Sequence, residues 1–499
     1  MKSRSGIIFI VAAAYLAAAG GNLHAQQTRN AIASEMEFTA KSDFGRAAVG
    51  GDVESGSFHR PQEASDKYGI FFKADGERQV GLFHLKGNFD FRQSFENGIQ
   101  YSSTFNPLRD MPYVIADSTG GDWRKQYYSM WVDISAKICE KLSAGIGIDL
   151  NVGRGAKNID PRPQAGMSKI GLEPTLSFNA GGAGVFSAGF TYYSYRENSN
   201  LILYDSSVPQ KLYLLKGLGQ YTYEIFSTTE RERKYEGNSL GAVLGWLLTR
   251  NDVSVSAKAS YLNGMESVFD IDYNKPHYRG KYYTDSWRGK FGFLYDPANW
   301  GLHVSAEYNG SRGSGRELVQ YFNSSSDVNA WVTDSEIPAR YVSVNHDVDA
   351  EAGVALKRDG YETWRFAATA GWNSLDQTYK ATSSEMKVVS ADFGARISRQ
   401  IKLAKAELDF AGSVNGSKNL DASLQCSRRE TDDDNIPVGL VQEDFKILGS
   451  NVFGASLEMG CDWSLKHTRT VGTRLTGFYQ SASAGLHRYG VSLGVSFKF

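Results

Sequence analysis

Gly490-Val-Ser-Leu-Gly494 has the G-x-S-x-G spacing that presents a serine nucleophile when it sits on a strand-to-helix turn. Here the five residues lie inside an alternating run with no helical period after it. Gly490, Ser492 and Gly494 therefore read as small residues on one strand face, and no hydrolytic chemistry follows. The eight histidines, His24, His59, His84, His277, His303, His346, His467 and His487, include no HxH or HExxH spacing that would bring two imidazoles to one metal ion. The run Asp432-Asp-Asp434 lacks the spaced ligands and turn glycine of a calcium loop and reads as a solvated loop face. Cys139, Cys426 and Cys461 are too few and too far apart for a disulfide framework or a paired-cysteine metal site. No catalytic, metal or cofactor motif emerges, and the expectation is a protein that is not an enzyme.

The more informative residues are ionisable ones that alternate with apolar neighbours: Lys86, Asp90, Arg92, Asp133, Lys137, Asp149, Glu307, Asp392, Arg396 and Glu458. Glu173, Lys258, Lys405, Glu407, Asp409, Asp462 and Arg474 share the pattern. His84 and His303 fall on the same face, in reach of a carboxylate such as Asp90 or Glu307. Ionised groups are costly to enclose unless they are wet or paired, so this face must line a water-filled passage or build a network of ion pairs. Both signs occur in similar number, which excludes a strongly anion- or cation-selective lining. Across the whole chain 54 basic residues meet 55 acidic ones, and that balance argues against nucleic acid as a partner.

Alternation of this kind positions side chains on strands. In the last eleven residues Tyr489, Val491, Leu493, Val495, Phe497 and Phe499 share one face, and Gly490, Ser492, Gly494, Ser496 and Lys498 the other. Eleven residues at about 3.3 Å each, tilted by roughly 45°, cover the ~25 Å apolar band of an outer-membrane barrel. The same two-faced pattern recurs at 80–92, 128–138, 142–150, 170–178, 186–195, 253–261, 302–308, 364–372, 389–397, 404–410 and 453–463. In a soluble sandwich the apolar face would be the core. In a barrel it faces lipid, and the charged face lines the lumen.

At the other end, Lys2 and Arg4 precede an apolar run over 6–19, with a small residue at Ala25, the pattern of a cleaved secretory signal peptide over 1–25. Residues 26–43 form a polar segment expected in the periplasm, and 44–499 form the barrel. No later apolar run is long enough for a transmembrane helix, and lipid leaves no partner for the backbone of an open sheet, so a membrane-resident chain must close its sheet. Aromatic residues at 13% and 52 glycines in 499 residues suit a barrel with aromatic girdles.

Tight joints are expected at Asp75-Gly76, Glu140-Lys141, 179–184, 249–252, 296–301, 358–361, Gln400-Ile401 and 467–470. Long joints fall at 97–122, 154–167, 197–234, 264–284, 312–341, 374–384 and 416–446, where Tyr282, Tyr283, Tyr321, Phe322 and Trp331 supply aromatic surface. Short joints belong on the periplasmic side and long ones outside, which puts both termini in the periplasm. The expected fold is an all-β, transmembrane, antiparallel up-and-down β-barrel of about eighteen strands, with sixteen as the fallback.

The Phe44-Gly-Arg start, the Arg60-Pro-Gln-Glu63 loop and the aromatic C-terminal strand resemble an uncharacterised family of outer-membrane β-barrel proteins from Bacteroidetes. The closing Tyr489, Phe497 and Phe499 resemble the C-terminal assembly signal of such proteins, which implies the barrel assembly machinery as a partner. The resemblance implies residence in outer-membrane lipid and carries no known active site. A barrel of this size encloses an aqueous channel unless something fills it. The expected function is passage of a polar or amphipathic solute. The alternative is a non-conducting barrel whose outer loops bind another envelope protein, and what separates the two is whether the loops fill the lumen.

Overall fold

The computed structural model describes residues 43–205, 207–227, 230–272, 274–325, 327, 329–427, 436–465 and 469–499. The expected signal peptide, the segment after it up to residue 42, the Asp432-Asp-Asp434 run, His24 and His467 lie outside the described residues.

The alternating runs form strands β1 (Phe44–Gly56), β2 (Asp66–Val80) and β3 (Phe83–Ile99), then a short β4 (Ile115–Asp117). Next come β5 (Gly121–Cys139), β6 (Leu142–Lys157), β7 (Arg162–Asn179) and β8 (Val185–Ile202), followed by β9 (Gln210–Gly217) and β10 (Gln220–Phe226). Long strands follow: β11 (Glu230–Arg250), β12 (Val253–Asp272), β13 (Lys275–Tyr295), β14 (Trp300–Asn323), β15 (Ala330–Arg358) and β16 (Tyr361–Tyr379). The chain ends with β17 (Ser384–Lys402), β18 (Ala406–Gln425), helix α1 (Ile436–Leu448), β19 (Val452–Ser464), β20 (Thr470–Ala482) and β21 (Leu486–Lys498).

Among the described residues, eighteen of these strands form one antiparallel sheet, the expected number. β1 pairs with both β2 and β21, so the sheet closes on itself and leaves no edge. Gly45 and Phe499 complete the seam with reciprocal backbone hydrogen bonds of 2.9 Å. Closure satisfies the backbone groups that lipid cannot, and the side chains sort accordingly. On β21 the alternate residues from Tyr489 to Phe499 are exposed outward while Ser492 is buried. On β19 Leu457 is 65% exposed, whereas Ser456 points inward and bonds the Ser413 hydroxyl at 2.7 Å. Among the described residues no helix is long and apolar enough to cross a membrane, so the crossing is made by strands.

Several joints differ from expectation. Asp75 and Gly76 are not a turn: β2 runs through them, pairing Asp75 with Arg46 on one side and Asn88 on the other, and Arg46 donates to Asp75 at 2.8 Å. The turn comes at Gly81-Leu82, where Gly81 has φ +61°, a conformation that costs glycine little. Gln400-Ile401 likewise lies within β17, and the joint follows at 403–405. Most of 154–167, 264–284, 312–341 and 374–384 is strand, not loop. A tilted strand needs about 9–11 residues to cross a bilayer. The 29-residue β15 therefore carries the wall well beyond the membrane.

Candidate functional site: an inward-folded plug and the chamber beneath it

Two connections that stay long fold inward together with α1, in their described residues 100–120, 203–205 and 207–227. β10, β9 and β4 make a separate three-stranded sheet, in which Ile115 pairs with Leu214. Met111, Tyr113 and Val114 from the first connection meet Leu215 and Leu218 from the second and Val441, Phe445 and Leu448 of α1. This cluster packs on wall residues that point inward, among them Tyr235, Val268, Tyr282, Tyr341 and Tyr379. Apolar burial of this kind drives the connections into the barrel mouth. The β9–β10 hairpin turns through Gly217, Leu218 and Gly219, all at positive φ. A Cβ on Gly217 would stand 2.6 Å from the Tyr341 ring, so glycine lets the hairpin lie against the wall.

Polar latches fix the plug to the wall. Arg109 donates to both oxygens of Glu266 on β12 at 2.7 and 2.6 Å, and its guanidinium lies over the rings of Tyr195 and Tyr235 at 4.6 and 4.8 Å. The Phe105 amide donates to Glu197 at 2.9 Å. Lys157 at the end of β6 reaches both Asp117 oxygens at 2.9 and 3.0 Å, with both side chains 1% exposed. Lys216 of β9 bridges to Glu317 of β14 at 2.9 Å, and Tyr379 donates to the same carboxylate. Arg60, in the expected Arg60-Pro-Gln-Glu63 loop, holds Asp444 of α1 with bonds of 3.0 and 2.5 Å. Burial raises the carboxyls of Asp110 and Asp117 above their ordinary range, against the hydroxyls of Tyr282 and Ser343 at Asp110 and the charge of Lys157 at Asp117.

Beneath the plug lies a cavity of about 1010 Å³. Phe105, Leu108, Ile447 and Leu448 form its roof, and lumen-facing strand residues form its sides. A second space of about 400 Å³ adjoins Glu173, Lys258, Arg288 and Lys290.

The charged residues singled out in the sequence are mostly brought into ion pairs. Lys86 and His84 approach Glu77 at 3.8 and 2.7 Å, Asp90 meets Lys73 at 3.4 Å, and Arg92 pairs with the buried Asp52. Asp133 lies in the field of His84, Lys86, Lys258 and Glu173. Glu307 accepts from Arg288 at 2.6 Å and faces Lys290 at 3.3 Å. Glu458 joins Arg396 at 2.9 Å to Arg474 at 3.4 Å, and Arg474 is 3.8 Å from Asp409. Asp149 and Asp392 accept from Asn151 and Asn373, each at 2.5 Å. Lys137 is exposed near the end of β5, and Lys405 sits in the β17–β18 joint. His303 meets Glu351 at 2.6 Å instead of Glu307. Of the aromatics expected in loops, Tyr282 belongs to the plug core and Trp331 stacks on His277 at 3.6 Å. The partners Asp52, Glu77, Lys73, Arg288 and Glu351 went unnamed in the sequence, although each has the strand parity of the residue it meets.

A closed eighteen-stranded sheet with an apolar exterior, a charged interior and a plug built from its own connections defines a transmembrane β-barrel of the outer-membrane type. Within that class the chain belongs to a family of unknown function (DUF6850), which matches residues 33–499. No curated protein matches the sequence. Among solved structures, the ferric preacinetobactin receptor of Acinetobacter baumannii is 10% identical, with 92% of this chain and 80% of that one covered and a TM-score of 0.41. The outer membrane transporter YddB of Escherichia coli is 8% identical, covering 91% and 80%, at 0.37. The iron transporter FrpB of Neisseria meningitidis is 9% identical, covering 94% and 83%, at 0.37.

Proposed function

We propose that the protein is a gated outer-membrane transport component for a polar or amphipathic solute, shut at its long-joint end by the inward-folded plug. The observation that carries this reading is the chamber of about 1010 Å³ between the plug and the charged strand walls. A barrel kept only as a scaffold has no need of such a space. An eighteen-stranded wall is wide enough for an aqueous path, and the plug is built from connections between wall strands, outside the hydrogen-bonded sheet of the wall. We place the tight joints and both termini on the periplasmic side, because short turns occupy that side of outer-membrane barrels. Assembly through the aromatic end of β21, by the barrel assembly machinery, belongs to the same proposal.

Proteoliposome swelling tests the reading. Vesicles holding the wild type should swell slowly in a small sugar, and vesicles holding Arg109→Ala should swell quickly. The occluded mouth favours the second reading, a non-conducting barrel that serves as a platform for an envelope protein. Slow swelling with every plug variant would select it.

A further inference from the structure

The basic groups that line the chamber are confined to one side. Lys67, Arg92, Lys125 and Arg488 stand there, on β2, β3, β5 and β21, together with Glu54, Glu63 and Glu96. Asp52 behind Arg92 is 1% exposed and does not line the chamber, whereas Glu54, the partner of Arg488, and Glu96, the partner of Lys67 and Lys125, do. This side therefore offers a solute cationic donors set among carboxylates.

On the other side, Asp347 and Asp349 of β15 and Asp392 of β17 line the same chamber with Asn345, Asn373 and Asn415, and no lysine or arginine lines this wall among the described residues. Gly371 of β16 pairs with Asp349 on one side and Asp392 on the other. A Cβ there would lie 2.9 Å from Asp349 Oδ1 and 3.3 Å from Asp392 Cβ, so the glycine leaves room for the two carboxylates to converge. The roof between the walls is apolar, from Phe105, Leu108, Ile447 and Leu448.

A side that holds every basic group of the lining faces a side whose charged groups are all carboxylates, and this asymmetry orients a solute carrying both signs at its two ends. Resting on the transport reading above, we propose that the chamber takes a zwitterionic solute with an apolar flank, of the size and chemistry of a short peptide. Its ammonium faces Asp349 and Asp392, its carboxylate faces Arg92 and Lys125, and its apolar part lies against the roof. The volume, about 1010 Å³, is at the upper end of small-molecule sites, which run to about 1,000 Å³.

The test is calorimetric titration of the purified full-length protein in detergent with Ala-Leu-Ala, its N-acetyl form, its C-terminal amide and the doubly blocked form. The free peptide should bind about tenfold or more tightly than the doubly blocked one. Asp349→Asn with Asp392→Asn should abolish the penalty of N-acetylation and leave that of amidation. Lys125→Gln, whose partner Glu96 keeps Lys67, should do the reverse. Heat-modifiable gel mobility of each variant establishes that the barrel is folded. Equal affinity for all four peptides, or no heat from any of them with folded wild type, would overturn the proposal. Binding with the expected charge preference while every plug variant fails to swell vesicles would remove transport and keep the ligand class. Rapid swelling with no charge preference would do the opposite.

Discussion

Arg109, carried by the connection between β3 and β5, is held by Glu266 of β12 through two parallel hydrogen bonds of 2.7 and 2.6 Å. The planar guanidinium suits this fork and the flanking rings of Tyr195 and Tyr235, a combination that lysine cannot reproduce.

Removing one partner of such an enclosed pair costs about 3–5 kcal/mol, because the other charge stays buried. Arg109→Ala should therefore release the plug while the barrel strands persist. Hydrogen exchange should rise at Met111 to Asp117 and stay slow in β1 and β21. Equal acceleration in both places would mean that plug and wall form one cooperative unit.

The plug should also loosen with rising pH. Burial raises the Asp110 carboxyl, so the docked connection holds this proton more tightly than a released one does. The stabilisation is complete below the released-loop value of about 3.9 and is lost as pH climbs through the higher docked value. The open fraction of single-channel currents should increase across that window. Asp110→Asn should flatten the dependence, and an unchanged profile would assign the pH response elsewhere.

Strand alternation made the membrane-crossing half of the molecule legible. The parity that set Leu457 outward and Ser456 inward holds along β19, because a closed sheet with lipid outside and a polar lumen sorts alternate residues to opposite faces. Alternation does not mark where a strand leaves the membrane. Tyr282, Tyr341 and Tyr379 repeat the pattern of a lipid-facing aromatic yet point inward to the plug. Asp75-Gly76 has the composition of a turn, and pairing on both sides overrides it. The plug left no periodic signal: Met111, Tyr113 and Val114 sit among prolines in an aperiodic stretch, and their partners are over a hundred residues away. The charged lumen was visible as a set of residues, whereas its pairing and its division into two walls depend on strands far apart in sequence.

Leu457→Arg should damage folding far more than Ser456→Arg. Arginine facing lipid at mid-membrane costs about 2–4 kcal/mol, whereas a lumen arginine stays hydrated or finds a carboxylate. Denaturant titration read by heat-modifiable mobility gives the comparison. Equal losses would shift the outward face by one residue.

Helix α1 hangs on Arg60. Its bidentate bond to Asp444 joins the β1–β2 connection to the plug, so Arg60→Ala should speed hydrogen exchange across Ile436–Leu448, and Arg60→Lys should do so to a smaller extent. No change in exchange would mean that Leu440, Phe445 and Leu448 hold the helix by packing alone.

Planar-bilayer current through the purified protein tests gated passage most directly. Wild type should be closed for most of the record, and Arg109→Ala combined with Arg60→Ala should show steady openings of weak ion selectivity, since the lumen charges pair off in both signs. A correctly folded double variant that passes no current would contradict the account.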